Sequence, residues 1–143
     1  MAKAAQEFRQ VSREDYVALA SFRHALRRFM QFSANAARAE KLSPQQHQAL
    51  LAIKGAVNEE GVTIGELADY LYLKPNSAVG LVDRLVKRKL VKRSPNHADR
   101  RKVFIELTPQ GEEMIDRLSA SHREELRKLG PRLRDWLETI VRA

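Results

Sequence analysis

The sequence predicts a mainly α-helical fold with one small β-hairpin. Apolar residues recur at helical spacing through residues 12–39. This stripe consists of Leu19, Phe22, Leu26 and Phe29. Residues 101–107 alternate between apolar and polar side chains instead, which is the period of a strand. Because the turn-forming residues 94–99 separate that strand from a short run starting at Leu90, the two form a hairpin.

Helix starts are marked by Ser or Thr as the N-cap, followed by a proline or by an acidic residue three positions later. The pairs are Ser12 with Asp15, Ser43 with Pro44, Thr63 with Glu66, and Thr108 with Pro109. Pro75 opens one more helix. The helix after Pro109 is expected to stop at Gly130-Pro131, where a separate last helix begins.

Each predicted helix has an apolar face that is expected to contribute to the core. From the second, third and fourth helices, the residues expected to face inward are Leu50, Leu51, Ile53, Ile64, Leu67, Ala68, Leu71, Val79, Val82, Leu85 and Val86. The opposite face of the fourth helix is polar. It carries Asn76, Ser77, Gly80, Asp83, Arg84 and Lys87.

Basic residues are concentrated in one segment, from Arg84 to Lys102. It holds nine Lys or Arg and a single acid, Asp99, so its net charge of +8 equals that of the whole protein. The rest of the chain carries as many acidic as basic residues. Charge concentrated in this way creates a local positive field, which predicts a polyanionic partner and favours nucleic acid.

The predicted hairpin carries Asp99, Arg100 and Arg101 at its tip. A narrow arm that ends in arginines can enter the DNA minor groove, where A·T-rich tracts concentrate negative potential. The alternative is a solvated hairpin whose basic residues protect its edge. Two short helices with a tight connection at residues 72–74 precede it. Together they have the pattern of a winged helix-turn-helix, which binds DNA.

In such a unit, the second helix lies in the major groove and its N-terminal polar residues face the base edges. Asn can bind adenine through two hydrogen bonds, and Ser hydroxyls adapt to different bases. The alternative for each position is ordinary helix surface. The candidate DNA-contacting residues of this helix and the hairpin are Lys74, Asn76, Ser77, Gly80, Arg84, Lys92, Arg93, Asp99, Arg100 and Arg101.

Composition excludes several other classes. With no cysteine, the chain has no disulfide, thiolate metal site or cysteine-based redox switch, and its four scattered histidines lack metal-ligand spacing. No phosphate-binding glycine loop or Ser-His-acid signature occurs, so neither an enzyme nor a cofactor is expected. No apolar run approaches the roughly 18–20 residues that cross a bilayer, and no signal peptide is expected, since residues 1–15 have no apolar core segment. A cytoplasmic location is expected.

Several short motifs, in their order and spacing, resemble the multiple-antibiotic-resistance-regulator (MarR) family of bacterial transcription regulators. They are Leu42-Ser43-Pro44-Gln45-Gln46, Leu50-Leu51, Ile64-Gly65-Glu66-Leu67-Ala68, Val82-Asp83-Arg84-Leu85, Leu90-Val91-Lys92-Arg93, Asp99-Arg100-Arg101 and Leu107-Thr108-Pro109-Gln110-Gly111. Each motif is weak alone. Their order and spacing together are specific, and the resemblance extends over nearly the whole chain.

The resemblance implies a homodimer that binds pseudo-palindromic double-stranded DNA and acts as a transcriptional regulator, with repression expected. It implies a helical dimerisation region at 1–42 and 109–143, and a DNA-binding region at 43–108. Amphipathic helices at both ends of the sequence favour the same arrangement, since their apolar stripes need a partner. The resemblance also places Asp99 where an acid holds the side chain of Arg101, although either Arg100 or Arg101 can enter the minor groove.

Two positions depart from the family pattern. Val79-Gly80 stands where the family often has Thr-Arg, and a glycine costs a helix about 1 kcal/mol relative to alanine. Lys89 stands where the family commonly has a glycine that caps the helix in a left-handed conformation, so this cap is expected to be strained or built differently.

Relatives are often released from DNA by small aromatic or anionic molecules, which implies an effector site in this chain. The candidate residues are Phe22, Arg23, Leu26, His47 and Trp136. The alternative for each is a position in the apolar core. The competing function for the whole chain is a non-specific architectural DNA-binding protein without an effector. RNA binding has less support, because Phe104 is the lone aromatic residue of the hairpin.

Overall fold

A computed structural model describes residues 10–56, 61–96 and 98–142. Within these ranges the chain forms five helices and three short strands, which confirms the predicted mainly α-helical fold with a small β element. In chain order they are α1 (Arg13–Ala39), α2 (Pro44–Lys54), β1 (Val62–Thr63), α3 (Ile64–Tyr70), α4 (Pro75–Lys87), β2 (Val91–Pro95), β3 (Val103–Leu107) and α5 (Pro109–Arg142). No helix in the described ranges is both long and apolar enough to cross a membrane.

The strands form one antiparallel sheet in the order β1-β3-β2. β2 and β3 make the predicted hairpin, with Val91 opposite Leu107. The sequence does not predict β1, because Thr63 has only the pattern of a helix cap. Its two residues pair with β3, Val62 opposite Ile105 and Thr63 opposite Phe104. A two-residue strand is too short to show a period in the sequence, so only the pairing reveals it.

The core lies between the sheet and the helices that surround it. Its largest fully buried side chains are Leu50, Leu67, Leu81, Val82, Leu85, Val91, Ile105 and Ile115. Two of the expected inward-facing residues are wrong: Leu51 is 46% exposed and Val79 is 40% exposed. Since one residue turns a helix by about 100°, their neighbours Leu50 and Ala78 take the buried positions.

The chain divides into two compact units. The terminal unit consists of Met1–Phe32 and Arg123–Ala143, and the central unit of Ser33–His122. The central unit therefore contains the whole winged helix-turn-helix, together with the end of α1 and the first part of α5. The functional division at 43–108, with dimerisation by the flanking regions, stays a prediction.

α5 runs from Pro109 to Arg142 without a break, so the expected stop at Gly130-Pro131 is wrong. A proline inside a helix removes one amide donor and crowds the carbonyl of the residue four positions earlier, here Arg127. Pro131 and Arg127 are both exposed, so water can bind the freed carbonyl. The terminal unit consequently contains parts of two long helices instead of three shorter ones.

Three helices end in a left-handed residue that is not glycine. Lys41, Tyr72 and Lys89 have φ angles of 60°, 55° and 61°. After each of them, a leucine amide donates to the carbonyl five residues earlier. These bonds are Leu42 to Ala37 at 2.9 Å, Leu73 to Ala68 at 2.8 Å and Leu90 to Leu85 at 3.0 Å. This is the Schellman motif, and the strain expected at Lys89 is confirmed.

Candidate nucleic-acid interface

α3 and α4 form the helix-turn-helix, and their packing decides which face of α4 is accessible. Ala78, Leu81, Val82 and Leu85 are all buried against the core. Asn76, Ser77 and Arg84 are exposed on the opposite face, while Gly80 is half-buried. The structure therefore presents the predicted major-groove residues of α4 on one open surface.

The N-terminus of α4 differs from those of the other helices. Four helices begin with a Ser or Thr hydroxyl that accepts the amide three residues later. The pairs are Ser12 and Asp15 at 3.1 Å, Ser43 and Gln46 at 3.1 Å, Thr63 and Glu66 at 3.2 Å, and Thr108 and Gly111 at 3.1 Å. α4 has Lys74 at its N-cap, without a side-chain hydrogen bond. The positive end of its dipole thus lies at the surface, beside a lysine.

The hairpin loop at residues 96–102 is held by its own hydrogen bonds; His97, within it, is outside the described residues. The amide of Asn96 donates to the Lys102 carbonyl at 3.0 Å, and the amide of Lys102 to the Asp99 carbonyl at 3.0 Å. The Asn96 side chain accepts the amide of Ala98 at 2.8 Å. These bonds fix the main chain that carries the two arginines of the tip.

Asp99 contacts Arg101 in a different way from the one expected. Its carboxylate accepts the main-chain amide of Arg101 at 3.1 Å. In the described part of the chain, no ion pair joins Asp99 to either arginine side chain, so the expectation that it holds the Arg101 guanidinium is wrong. A two-residue span favours the amide, because that contact closes a local Asx turn. Arg100 and Arg101 are both exposed, and the geometry selects neither.

Arg93 is engaged inside the protein. Its Nη2 forms an ion pair with Oδ1 of Asp83, so the guanidinium joins β2 to α4. The sequence pattern predicts Arg93 as a DNA-contacting residue and predicts no partner for Asp83. The position of Asp83 is a signal for an ion pair, since an acid on the polar face of a basic helix can bind a nearby cation. Only the folded structure shows that its partner is Arg93, because the two residues lie on different elements.

Two more cations of the basic segment have intramolecular partners. Lys92 lies opposite Glu106 across the hairpin, with Nζ 3.8 Å from the carboxylate. Arg88 donates to the carbonyls of Lys41 at 2.6 Å and Glu40 at 3.3 Å, and so caps the C-terminus of α1. The remaining cations of the segment are exposed and make no ion pair among the described residues. They are Arg84, Lys87, Lys89, Arg100, Arg101 and Lys102.

The end of α4 and the start of β2 are fixed to α5 by Thr108. Its hydroxyl donates to the Lys89 carbonyl at 2.6 Å, and its amide donates to the Leu90 carbonyl at 3.0 Å. Gly111 is required beside them, because a Cβ at this position would lie 2.0 Å from the Leu90 carbonyl oxygen. This explains the Thr-Pro-Gln-Gly motif as the joint that holds the helix and the hairpin in place.

Two histidines pack together inside the central unit. His47 is 3% exposed, and its ring centroid lies 4.7 Å from that of His122. Within the described structure, Nδ1 of His47 is buried without a hydrogen-bond partner. Burial, and secondly the nearby His122, lower the pKa of His47 below its ordinary value of 6.5. His122 contacts the Leu118 carbonyl at 2.6 Å and the Ser33 hydroxyl at 2.8 Å.

The candidate effector residues are distributed over both units. Arg23 and Leu26 line an open groove of about 490 Å³ along α1. Trp136 lines a different groove of about 480 Å³, together with Val17 of α1. Phe22 is half-buried in the terminal unit, whereas His47 belongs to the central unit. Their role as a ligand site stays a prediction.

Part of the chain is similar in sequence to known regulators. Residues 41–102 match the MarR family. YsmB from Bacillus subtilis, an uncharacterized HTH-type transcriptional regulator, is 41% identical over 68 residues, which are 48% of this chain and 47% of YsmB. YhbI from the same organism, described in the same words, is 38% identical over 93 residues, or 64% of this chain and 56% of YhbI. The chain thus spans about half the length of these curated relatives.

Solved structures of low sequence identity share the fold. MepR, a transcription regulator of the Staphylococcus aureus multidrug efflux pump MepA, has a TM-score of 0.69 at 20% identity, over 78% of this chain and 81% of MepR. A MepR mutant bound to an oligodeoxyribonucleotide has a TM-score of 0.66 at 20% identity, over 78% and 80%. RV1404 from Mycobacterium tuberculosis has a TM-score of 0.68 at 23% identity, over 80% and 78%.

Proposed function

We propose that the chain is a transcriptional regulator of the MarR family that binds specific sequences of double-stranded DNA, since residues 41–102 match that family. The observation that carries this proposal is the arrangement of the central unit. The polar face of α4 and the cationic hairpin loop are both exposed, and Thr108 with Gly111 fixes the chain between them to α5. We expect no enzymatic activity.

α4 reads the DNA through the major groove in this proposal. Asn76 and Ser77 at its start face the base edges, where an Asn distinguishes adenine by two hydrogen bonds. The positive helix end beside Lys74 favours a phosphate. Half-buried Gly80 has no side chain that projects from α4, which allows the DNA backbone to approach the helix closely.

The hairpin binds the adjacent minor groove through Arg100 or Arg101. Arginine is favoured in a narrow minor groove because the groove concentrates negative potential. Lys92, which is only loosely paired with Glu106 at 3.8 Å, and the exposed cations that make no ion pair within the described ranges contribute contacts to phosphates. These contacts position the protein without reading sequence. Arg93 is assigned a different role, since its charge is balanced by Asp83.

Two copies of the chain act together. The terminal unit exposes many large apolar side chains, which is typical of a surface that binds another protein chain. They are Val11, Tyr16, Val17, Leu19, Leu26, Met30, Leu126, Leu137 and Val141. A two-fold dimer through this surface would set two α4 helices about one DNA turn, roughly 34 Å, apart and so match a pseudo-palindromic operator.

Repression and release by a small effector complete the proposal. A ligand that binds better to a dimer with the wrong spacing of its α4 helices weakens DNA binding by that difference in affinity. The groove at Arg23 and Leu26 supplies a cation and apolar contacts, which suit an anionic aromatic molecule. The competing function, a non-specific architectural protein, shares the basic surface but lacks sequence preference.

Selection of bound fragments from the source genome tests the proposed function. Recovery of one recurring pseudo-palindrome, bound by two copies of the chain in sedimentation analysis, is expected. Recovery of unrelated fragments in proportion to their abundance would favour the architectural alternative. A solitary chain on each duplex would contradict the dimer.

A further inference from the structure

Two strongly exposed aromatic side chains lie at the end of α3 and in the turn that follows it. Tyr72 is 97% exposed, and Tyr70, the last residue of α3, is 72% exposed. An aromatic ring that stays in water contributes no burial energy to the fold. Tyr72 therefore does not stabilise the central unit through its side chain.

The main chain at Tyr72 is also unfavourable for this residue type. Its φ of 55° lies in the left-handed region, where a Cβ crowds the following carbonyl oxygen and where glycine is favoured. Gly or Asn would close the same Schellman turn with less strain. Lys41 and Lys89 share this backbone conformation, so the feature that distinguishes Tyr72 is its fully exposed aromatic ring. A strained position with such a ring is a candidate for a contact outside the molecule.

The position of Tyr72 in the chain indicates which part of a DNA duplex its side chain would contact. This step rests on the proposed DNA-binding function. Two residues span at most about 7 Å of chain, so Tyr72 lies within that distance of Lys74, the N-cap of α4. The major groove that receives α4 is about 12 Å wide. A side chain this far from the helix end consequently reaches the rim of the groove, where the phosphates lie.

We propose that Tyr72 binds the sugar–phosphate backbone at the rim of the major groove. Its ring packs on a deoxyribose and its hydroxyl donates a hydrogen bond to a phosphate oxygen. Tyrosine suits this place, because it combines an apolar body with a polar tip and is among the side chains that bind phosphate. As a neutral residue, it releases no counterion on binding.

Two substitutions test the proposal against a mixed-sequence duplex of about three helical turns. Tyr72→Gly should raise the melting temperature by about 2–5 °C, because it relieves the backbone, yet weaken binding on the order of tenfold. Tyr72→Phe keeps the ring and should weaken binding less. In both variants the slope of log affinity against log salt should equal that of the natural chain. Unchanged affinity in either variant overturns the proposal.

Lys41→Gly is the matched control, because Lys41 occupies the equivalent left-handed position at the end of α1. It should also raise the melting temperature while preserving most of the DNA affinity. An equal loss of affinity in this control would attribute the effect to the caps and overturn the proposal. Failure of the natural chain to bind any duplex would remove the proposed function itself. Tight binding by both the natural chain and Tyr72→Gly would remove only the role of Tyr72.

Discussion

Asp83 of α4 and Arg93 of β2 form an ion pair that joins the two elements of the central unit that are proposed to bind DNA. Both side chains remain partly exposed, so the pair contributes little to the free energy of unfolding. Its effect is on charge and orientation. Arg93 is neutralised by its partner, and the hairpin is tied to the helix beside it.

We predict that Arg93→Ala leaves the salt dependence of DNA binding nearly unchanged. A guanidinium already paired with a carboxylate displaces no counterion from DNA. Asp83→Asn should have the opposite effect, because it frees Arg93 and steepens the slope of log affinity against log salt by up to about 0.9. Fluorescence anisotropy over a salt series measures both slopes. An Arg93→Ala slope that falls by a full phosphate contact would show that Arg93 binds DNA.

The arginines at the hairpin tip should behave differently from Arg93. Arg101→Ala is predicted to weaken DNA binding by roughly 1–3 kcal/mol with little change in melting temperature, because its side chain is exposed. Arg100→Ala is the paired measurement, and the larger loss identifies the arginine that enters the minor groove. Two variants that both bind like the natural chain would remove the hairpin from the mechanism.

Gly111→Ala is expected to destabilise the central unit. The new Cβ would lie 2.0 Å from the Leu90 carbonyl oxygen, and main-chain atoms cannot move aside cheaply. We predict a loss of about 3 kcal/mol in the free energy of unfolding, measured by denaturant titration.

Gly130→Ala is the control for that substitution. A Cβ at Gly130, in the same helix, would meet no described atom within 4 Å apart from its chain neighbours and the backbone of its own helix. The gain in helix propensity, about 0.5–1 kcal/mol, is offset by crowding between the new Cβ and the Pro131 ring, so the free energy of unfolding should change far less than in Gly111→Ala. Equal effects at the two glycines would mean that Gly111 does not hold the joint.

His47 should make stability depend on pH below about neutrality. Its pKa is lowered in the folded state from the ordinary value of 6.5, chiefly by burial. Between the two values the unfolded chain binds more protons, so the free energy of unfolding falls as pH falls below 6.5. One proton limits the slope to about 1.4 kcal/mol per pH unit.

Denaturant titrations from pH 7 downward measure this contribution. His47→Leu should flatten the curve relative to the natural chain, whereas His24→Gln, a change at an exposed position, should leave it unaltered. A natural chain that gains stability on acidification, or a His47→Leu chain with an identical curve, would contradict the assignment.

The sequence predicted the features that depend on neighbouring residues. All four Ser and Thr helix caps are present, because each is a contact between residues three apart. The alternation of apolar and polar residues, with the turn residues between the strands, predicts the hairpin. The number of Lys and Arg residues identifies the basic segment. The helical pattern also predicts which residues of α4 are exposed, except that Val79 is exposed instead of buried.

Features that depend on distant residues could not be predicted. Arg88 and Arg93 look like their neighbours in the sequence, and only the fold brings them to the end of α1 and to Asp83. Gly130-Pro131 carries a strong local signal for a helix end, yet α5 continues through it. The connection at residues 72–74 is predicted, but the left-handed conformation of Tyr72 within it is not, since tyrosine gives no turn signal.

Competition at fixed salt tests the central claim most directly. The protein is held on a duplex recovered from the genomic selection, and excess DNA of random sequence is added. We predict that random DNA displaces it at least a thousandfold less effectively than the same duplex unlabelled, a ratio typical of specific regulators, about 10³–10⁷. Equal displacement by the two DNAs would contradict sequence-specific reading by α4.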